Sequence, residues 1–116
     1  MGLDMYAYAA DKAGREADSR ELAYWRKHPN LHGWMERLAE SKNLEYGSFN
    51  GVELELTWAD IDTLEQAVTH KQLPATSGFF FGRDADELYY DDDLAFIKNA
   101  RAELFLGLKV FYNSSW

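Results

Sequence analysis

Three segments of the chain alternate apolar and polar residues, which is the pattern of strands with one buried face. In LDMYAYA (3–9) the leucine, methionine and an alanine fall on one side, with acidic and tyrosine residues on the other. VELELT (52–57) and LKVFYNSSW (108–116) repeat the alternation. Because successive side chains of a strand point to opposite faces, the pattern predicts three strands.

Four other segments place apolar residues at helical spacing. ELAYWRK (21–27) and LHGWMERLAESK (31–42) predict a pair of helices, with Pro29 either breaking the first or starting the second at its first turn. TWADIDTLEQAVTHK (57–71) and LAFIKNARAELFLG (94–107) predict two more.

End signals support the last two of these helices. Thr57 and Asp60 have the spacing of a capping box, and the apolar stripe of that helix is expected to begin with Trp58. Three aspartates at 91–93 precede the other helix, where carboxylates favour the helix dipole. Gly107 is expected to end it.

Between two of the predicted helices lies SGFFFG (77–82), which is expected to form a short extended piece. Strand geometry places Phe79 and Phe81 on one face and Phe80 on the other. We expect the outer two in the core. Phe80 is then either the exposed member of an interface or covered by Trp116.

The order of these elements predicts an α+β fold. We expect residues 1–116 to form a single domain, with a small, mostly antiparallel sheet and three to four helices packed on one face. The length fits one domain, and 47% hydrophobic residues suffice for a core. No linker or repeat divides the chain.

Charge and composition narrow the classes of protein that remain open. The net charge is −8, all of it in residues 43–116, so repulsion from phosphate backbones disfavours direct nucleic-acid binding. The chain has no cysteine, no apolar run of membrane-spanning length and no signal-peptide pattern. A cytoplasmic protein that does not enter membranes is expected.

Five segments together resemble a family of small phage and prophage proteins. They are GLDMY (2–6), ELAYWRK (21–27), LHGWM (31–35), LPATSGFFFG (73–82) and the terminal SSW (114–116). The resemblance covers most of the chain in order and implies a one-domain protein of phage or bacterial origin. It implies no activity and no catalytic residues.

Motifs that would indicate catalysis or a cofactor are missing from the sequence. It contains no Gly-x-Ser-x-Gly, no phosphate loop and no GxGxxG, and the acidic run at 84–93 lacks the ligand order of a calcium loop. His28, His32 and Glu36 are four residues apart, but Pro29 interrupts the helix that would align them on a metal. We therefore expect no metal and no cofactor, and an enzyme is not favoured.

Eighteen aromatic residues are many for one small core, so some are expected on a surface that binds a protein partner or a second copy of the chain. Alternation puts two tyrosines beside Asp4, and polar side chains surround Trp25. The candidate interaction or pocket residues are Asp4, Tyr6, Tyr8, Tyr24, Arg26, Lys27, His32, Phe80 and Trp116.

The leading hypothesis is a small accessory protein that acts by protein–protein binding or self-association. One alternative is a small enzyme or ligand-binding protein with a pocket near Asp4, Tyr24, Arg26 and His32. A second alternative is an acidic inhibitor that mimics DNA.

Overall fold

The described part of the protein forms four strands and three helices. The computed structural model describes residues 3–10, 20–44, 49–73 and 89–115. The strands are β1 (Asp4–Ala10), β2 (Arg20–Arg26), β3 (Leu54–Leu56) and β4 (Lys109–Ser115). The helices are α1 (Pro29–Ser41), α2 (Trp58–Thr69) and α3 (Tyr90–Phe105).

The strands form one antiparallel sheet in the order β2-β1-β4-β3. β1 and β4 are its central pair, in a register that sets Tyr6 opposite Asn113. On its other side β1 sets the same tyrosine opposite Tyr24 of β2, with an irregularity in register between Ala7 and Tyr8. The predicted α+β class with a small antiparallel sheet is confirmed.

The prediction of a helix at 21–27 is wrong, because residues 21–26 belong to β2. The segment is rich in helix formers, but a seven-residue helix that ends before Pro29 is too short to repay the cost of nucleation. Pairing with β1 along most of its length supplies the backbone hydrogen bonds instead. Tertiary pairing here overrides local propensity.

Within the described residues, the other predicted strands and helices form, with adjusted ends. Pro29 occupies the first turn of α1, and Gly107, at φ 88°, follows the end of α3. β3 is shorter than predicted and keeps only the alternation of buried Leu54, exposed Glu55 and buried Leu56. Trp58 does not join the apolar stripe of α2, since it lies in the first turn and is exposed.

The core combines buried side chains of the four strands and the three helices. Trp25 packs edge-to-face on Phe96 of α3, with ring centroids 5.2 Å apart, and so joins the edge strand β2 to that helix. The fully buried side chains of this core include Leu3, Met5, Leu31, Met35, Leu54, Leu56, Ile61, Leu64 and Tyr112.

Ion pairs reinforce two joints between the elements. Arg101 of α3 reaches both Asp62 and Glu65 of α2, at 2.7 and 2.8 Å. Arg20 of β2 pairs with the buried Glu103 of α3. The helix α3 is thus held to α2 on one side and to β2 on the other.

The expectations for Phe79, Phe80, Phe81 and Trp116 fall outside the described residues. Within the described residues no helix combines the length and the apolar composition needed to cross a membrane.

Candidate functional site

Side chains on the sheet face opposite the core form a surface that we call the tyrosine face. β1 contributes Asp4, Tyr6 and Tyr8, because the buried residues alternate with them along the strand. Strand pairing adds residues of β2 and β4 beside them. The members are Asp4, Tyr6, Tyr8, Glu21, Tyr24, Arg26, Phe111 and Asn113.

The aromatic rings of this face lie in contact across the strands. Tyr6 and Tyr24 have ring centroids 5.3 Å apart at an angle of 45°. Tyr8 stacks on Phe111 at 5.6 Å and 27°. Cross-strand aromatic pairs of this kind stabilise the sheet, and they also present polar tips that suit an interface.

Two phenols of the tyrosine face donate hydrogen bonds to carboxylates. The hydroxyl of Tyr24 donates to Oδ1 of Asp4 at 2.7 Å, and this bond, with the nearby negative charge, raises the pKa of Tyr24. The hydroxyl of Tyr8 donates to Glu53, which precedes β3. The phenol of Tyr24 therefore stays protonated beside the negative charge of Asp4.

A depression of about 420 Å³ opens on the same face, toward the end of β4. Gly51 borders it and is held there by its N–H, which donates to the carbonyl of Ser114 at 2.7 Å. This volume is within the range of small-ligand sites. The lining residues are Tyr6, Tyr8, Glu21, Gly51, Asn113, Ser114 and Ser115.

Arg26 and Lys27 lie at the end of the face where β1 begins and where β2 and β4 end. Arg26 is exposed and stands opposite Asp4 in the pairing of β1 and β2. Its backbone N–H donates to the hydroxyl of Tyr89 at 3.3 Å, and that hydroxyl donates to the carbonyl of Arg26. Lys27 follows in the left-handed region, at φ 59°, where the chain bends toward α1.

His32 does not join this group, although the predicted pocket included it. It lies on α1 with 2% of its surface exposed, and its Nδ1 is 2.7 Å from the hydroxyl of Tyr112. Its ring packs on Phe49, with centroids 5.1 Å apart. Burial lowers the pKa of His32 to about 4, so the imidazole is neutral at pH 7.

A second buried polar cluster joins His28, Asp93 and Trp25. Nε2 of His28 lies 3.0 Å from Oδ2 of Asp93, and the indole N–H of Trp25 donates to Oδ1 at 2.9 Å. A histidine oriented by a carboxylate resembles part of a catalytic triad. Neither side chain is accessible, at 0% and 1% exposure, so no substrate reaches them. The cluster ties β2 and α1 to α3.

The suspected metal spacing of His28, His32 and Glu36 is not realised. The two imidazoles have separate partners, Asp93 and Tyr112. Within the described ranges no group of three metal-ligating side chains comes together.

A separate apolar surface lies where α2 begins and α3 ends. β3 and β4 are antiparallel neighbours, so the helix that follows one and the helix that precedes the other meet at the same end of the sheet. Phe105 and Leu106 are 82% and 70% exposed there, and Trp58 is 44% exposed.

Sequence reasoning identified Asp4, Tyr6 and Tyr8 as neighbours but missed Glu21, Phe111 and Asn113. Glu21 was hidden by the helix prediction for its segment. Phe111 and Asn113 follow the alternation of β4, but only the strand order shows that they border β1.

The comparisons with known proteins add no relative. No protein-family model, curated protein or solved structure matches the chain. The resemblance to phage and prophage proteins therefore stays an expectation from the sequence.

Proposed function

We propose that this protein is a small, non-catalytic, cytoplasmic accessory protein of phage or bacterial type, which binds a basic protein partner through the tyrosine face. The observation that carries the proposal is the set of aromatic side chains in contact across three strands, flanked by carboxylates. In this proposal the helices pack on the core face of the sheet and leave the tyrosine face for the partner.

Charge selects the kind of partner. The chain carries a net charge of −8, and Asp4, Glu21 and Glu53 stand at the tyrosine face. Complementary charge speeds encounter and suppresses wrong partners, so a surface rich in lysine and arginine fits best. A second copy would bring like charges together, so we expect the protein alone to be monomeric.

Aromatic composition also supports binding at this face. Tyr24 is 47% exposed, and tyrosines with accessible polar tips are enriched among residues that carry interface energy. The alternative pocket of Asp4, Tyr24, Arg26 and His32 loses support, since His32 is buried in the core. The DNA-mimic hypothesis rests on charge alone, and the tyrosine face adds nothing to it.

The test compares two variants that each remove one exposed aromatic side chain. Tyr24→Ser alters the tyrosine face, and Trp58→Ser alters the end of α2, with similar exposures of 47% and 44%. We expect Trp58→Ser to bind the partner with the affinity of the wild type. Tyr24→Ser should lower that affinity by about tenfold or more. Raising the salt concentration should weaken the complex.

Three results would contradict the proposal. A partner lost by Trp58→Ser and kept by Tyr24→Ser would place the interface at the apolar end of α2 and α3. An affinity that does not change with salt concentration would exclude a basic partner. A dimer seen by light scattering in the wild type and lost in Tyr24→Ser would show that the tyrosine face binds a second copy of the chain.

A further inference from the structure

The depression on the tyrosine face combines aromatic rings with a carboxylate. Its lining includes the rings of Tyr6 and Tyr8, the carboxylate of Glu21 and the amide of Asn113. Rings attract cations through their negative faces, and a carboxylate attracts them by charge. The chemistry of the lining therefore selects a positively charged group.

Glu21 is the acidic side chain of this lining, and its carboxylate has no hydrogen bond or ion pair with the described residues. It stands opposite Tyr8 in the pairing of β1 and β2. An exposed carboxylate held on a strand next to an aromatic ring is well placed to pair with a cation that lies on the ring.

The hydroxyl of Tyr8 strengthens the selection. It donates its proton to Glu53, and a phenol that donates to a carboxylate carries more electron density on its ring. That increases the attraction between the ring and a cation above it. Glu53 also adds a second negative charge near the depression.

The combination of aromatic rings with a carboxylate favours a planar cation over a compact one. A guanidinium group stacks flat on a ring while its N–H groups reach a carboxylate, and the amide oxygen of Asn113 offers one more acceptor. We propose that the depression bordered by Tyr6, Tyr8, Glu21 and Asn113 binds an arginine side chain of the partner. This inference deepens the proposed function and rests on it, because the arginine comes from the basic partner.

The experiment titrates the whole protein with N-acetyl-arginine-N′-methylamide and follows backbone and Asn side-chain amide signals by NMR. We expect shifts at Tyr6, Tyr8, Glu21 and Asn113 and a Kd of about millimolar order, as for a single side chain. The neutral citrulline analogue, which keeps the shape without the charge, should bind at least about tenfold more weakly.

A matched pair of variants tests the carboxylate. Glu21→Gln should weaken arginine binding by about tenfold, the loss expected for one charge-assisted hydrogen bond. Glu40→Gln makes the same change of charge at an exposed site on α1 and should leave binding unchanged. Circular dichroism checks that both variants fold.

Equal binding of the citrulline analogue, shifts confined to other surfaces, or equal losses in the two variants would overturn the inference. The probe needs no partner, so the two proposals fail separately. Partner binding that depends on Tyr24, without arginine binding in the depression, would sink this inference alone. Arginine binding, without a partner that depends on Tyr24, would sink the proposed function alone.

Discussion

His32 is a buried base whose protonation opposes folding. Its pKa is about 4 in the folded protein against 6.5 in an unfolded chain, so the unfolded chain takes up the proton first as the pH falls. The contribution of His32 to stability is therefore complete above pH 6.5 and is lost as the pH falls toward 4.

We predict that this residue makes folding sensitive to mild acid. Between pH 7 and pH 4 the wild type should lose about 2–3 kcal/mol more of its free energy of unfolding than His32→Gln does. Urea denaturation at several pH values measures this difference. His70→Gln, which changes an exposed histidine after α2, is the control. Parallel pH profiles for wild type and His32→Gln would contradict the prediction.

Asp93 is a second residue whose role depends on burial. It accepts from the indole N–H of Trp25 and pairs with His28, so Asp93→Ala leaves two buried polar groups without this partner. We predict a loss of about 3–5 kcal/mol in the free energy of unfolding. Asp92→Ala, an exposed neighbour in the same first turn, should cost about 1 kcal/mol or less. Equal midpoints of urea denaturation for the two variants would refute this role.

At the scale of elements, α2 begins with a complete capping box. The Thr57 side chain accepts from the N–H of Asp60, and the Asp60 carboxylate accepts from the N–H of Thr57. Lys42 also donates to that carboxylate and so ties the end of α1 to the start of α2. Partial burial opposes ionisation, but hydrogen bonds from Lys42 and Thr57 prevail and lower the pKa of Asp60.

We predict that Thr57→Ala lowers the free energy of unfolding by about 1 kcal/mol, the usual cost of a lost N-cap. Thr63→Ala provides the control, because Thr63 is an exposed residue inside the same helix and alanine is the better helix former. Thermal unfolding followed by circular dichroism distinguishes them. A Thr63→Ala variant as unstable as Thr57→Ala would show that the box is not the source of the effect.

The elements that were predicted correctly have either a clear period or a clear end signal. β1 alternates along most of its length, and α2 has both apolar spacing and its capping box. β2 has neither, since a seven-residue segment of helix formers does not show whether it will pair with a neighbour. The error over β2 also concealed Glu21, and it concealed that Tyr24 and Arg26 reach the tyrosine face through pairing with β1.

At the scale of the molecule, the site depends on the order of the strands. Alternation along β1 predicted that Asp4, Tyr6 and Tyr8 share a face. No local pattern states that β4 lies between β1 and β3, and this arrangement brings Phe111 and Asn113 beside those tyrosines. The burial of His32 and Asp93 could likewise not be predicted from the sequence, because it depends on which helix packs over which strand.

The pairing of β1 with β4 at the centre of the sheet also determines the order in which the strands can pair during folding. Tyr6 and Asn113 lie near opposite ends of the described chain, so their strands meet only after a long loop has closed. During synthesis β1 can pair with β2 early, but it can pair with β4 only after the ribosome has released β4. Closing such distant contacts is slow, and over that interval the edge of β1 that pairs with β4 lacks its backbone hydrogen-bond partners.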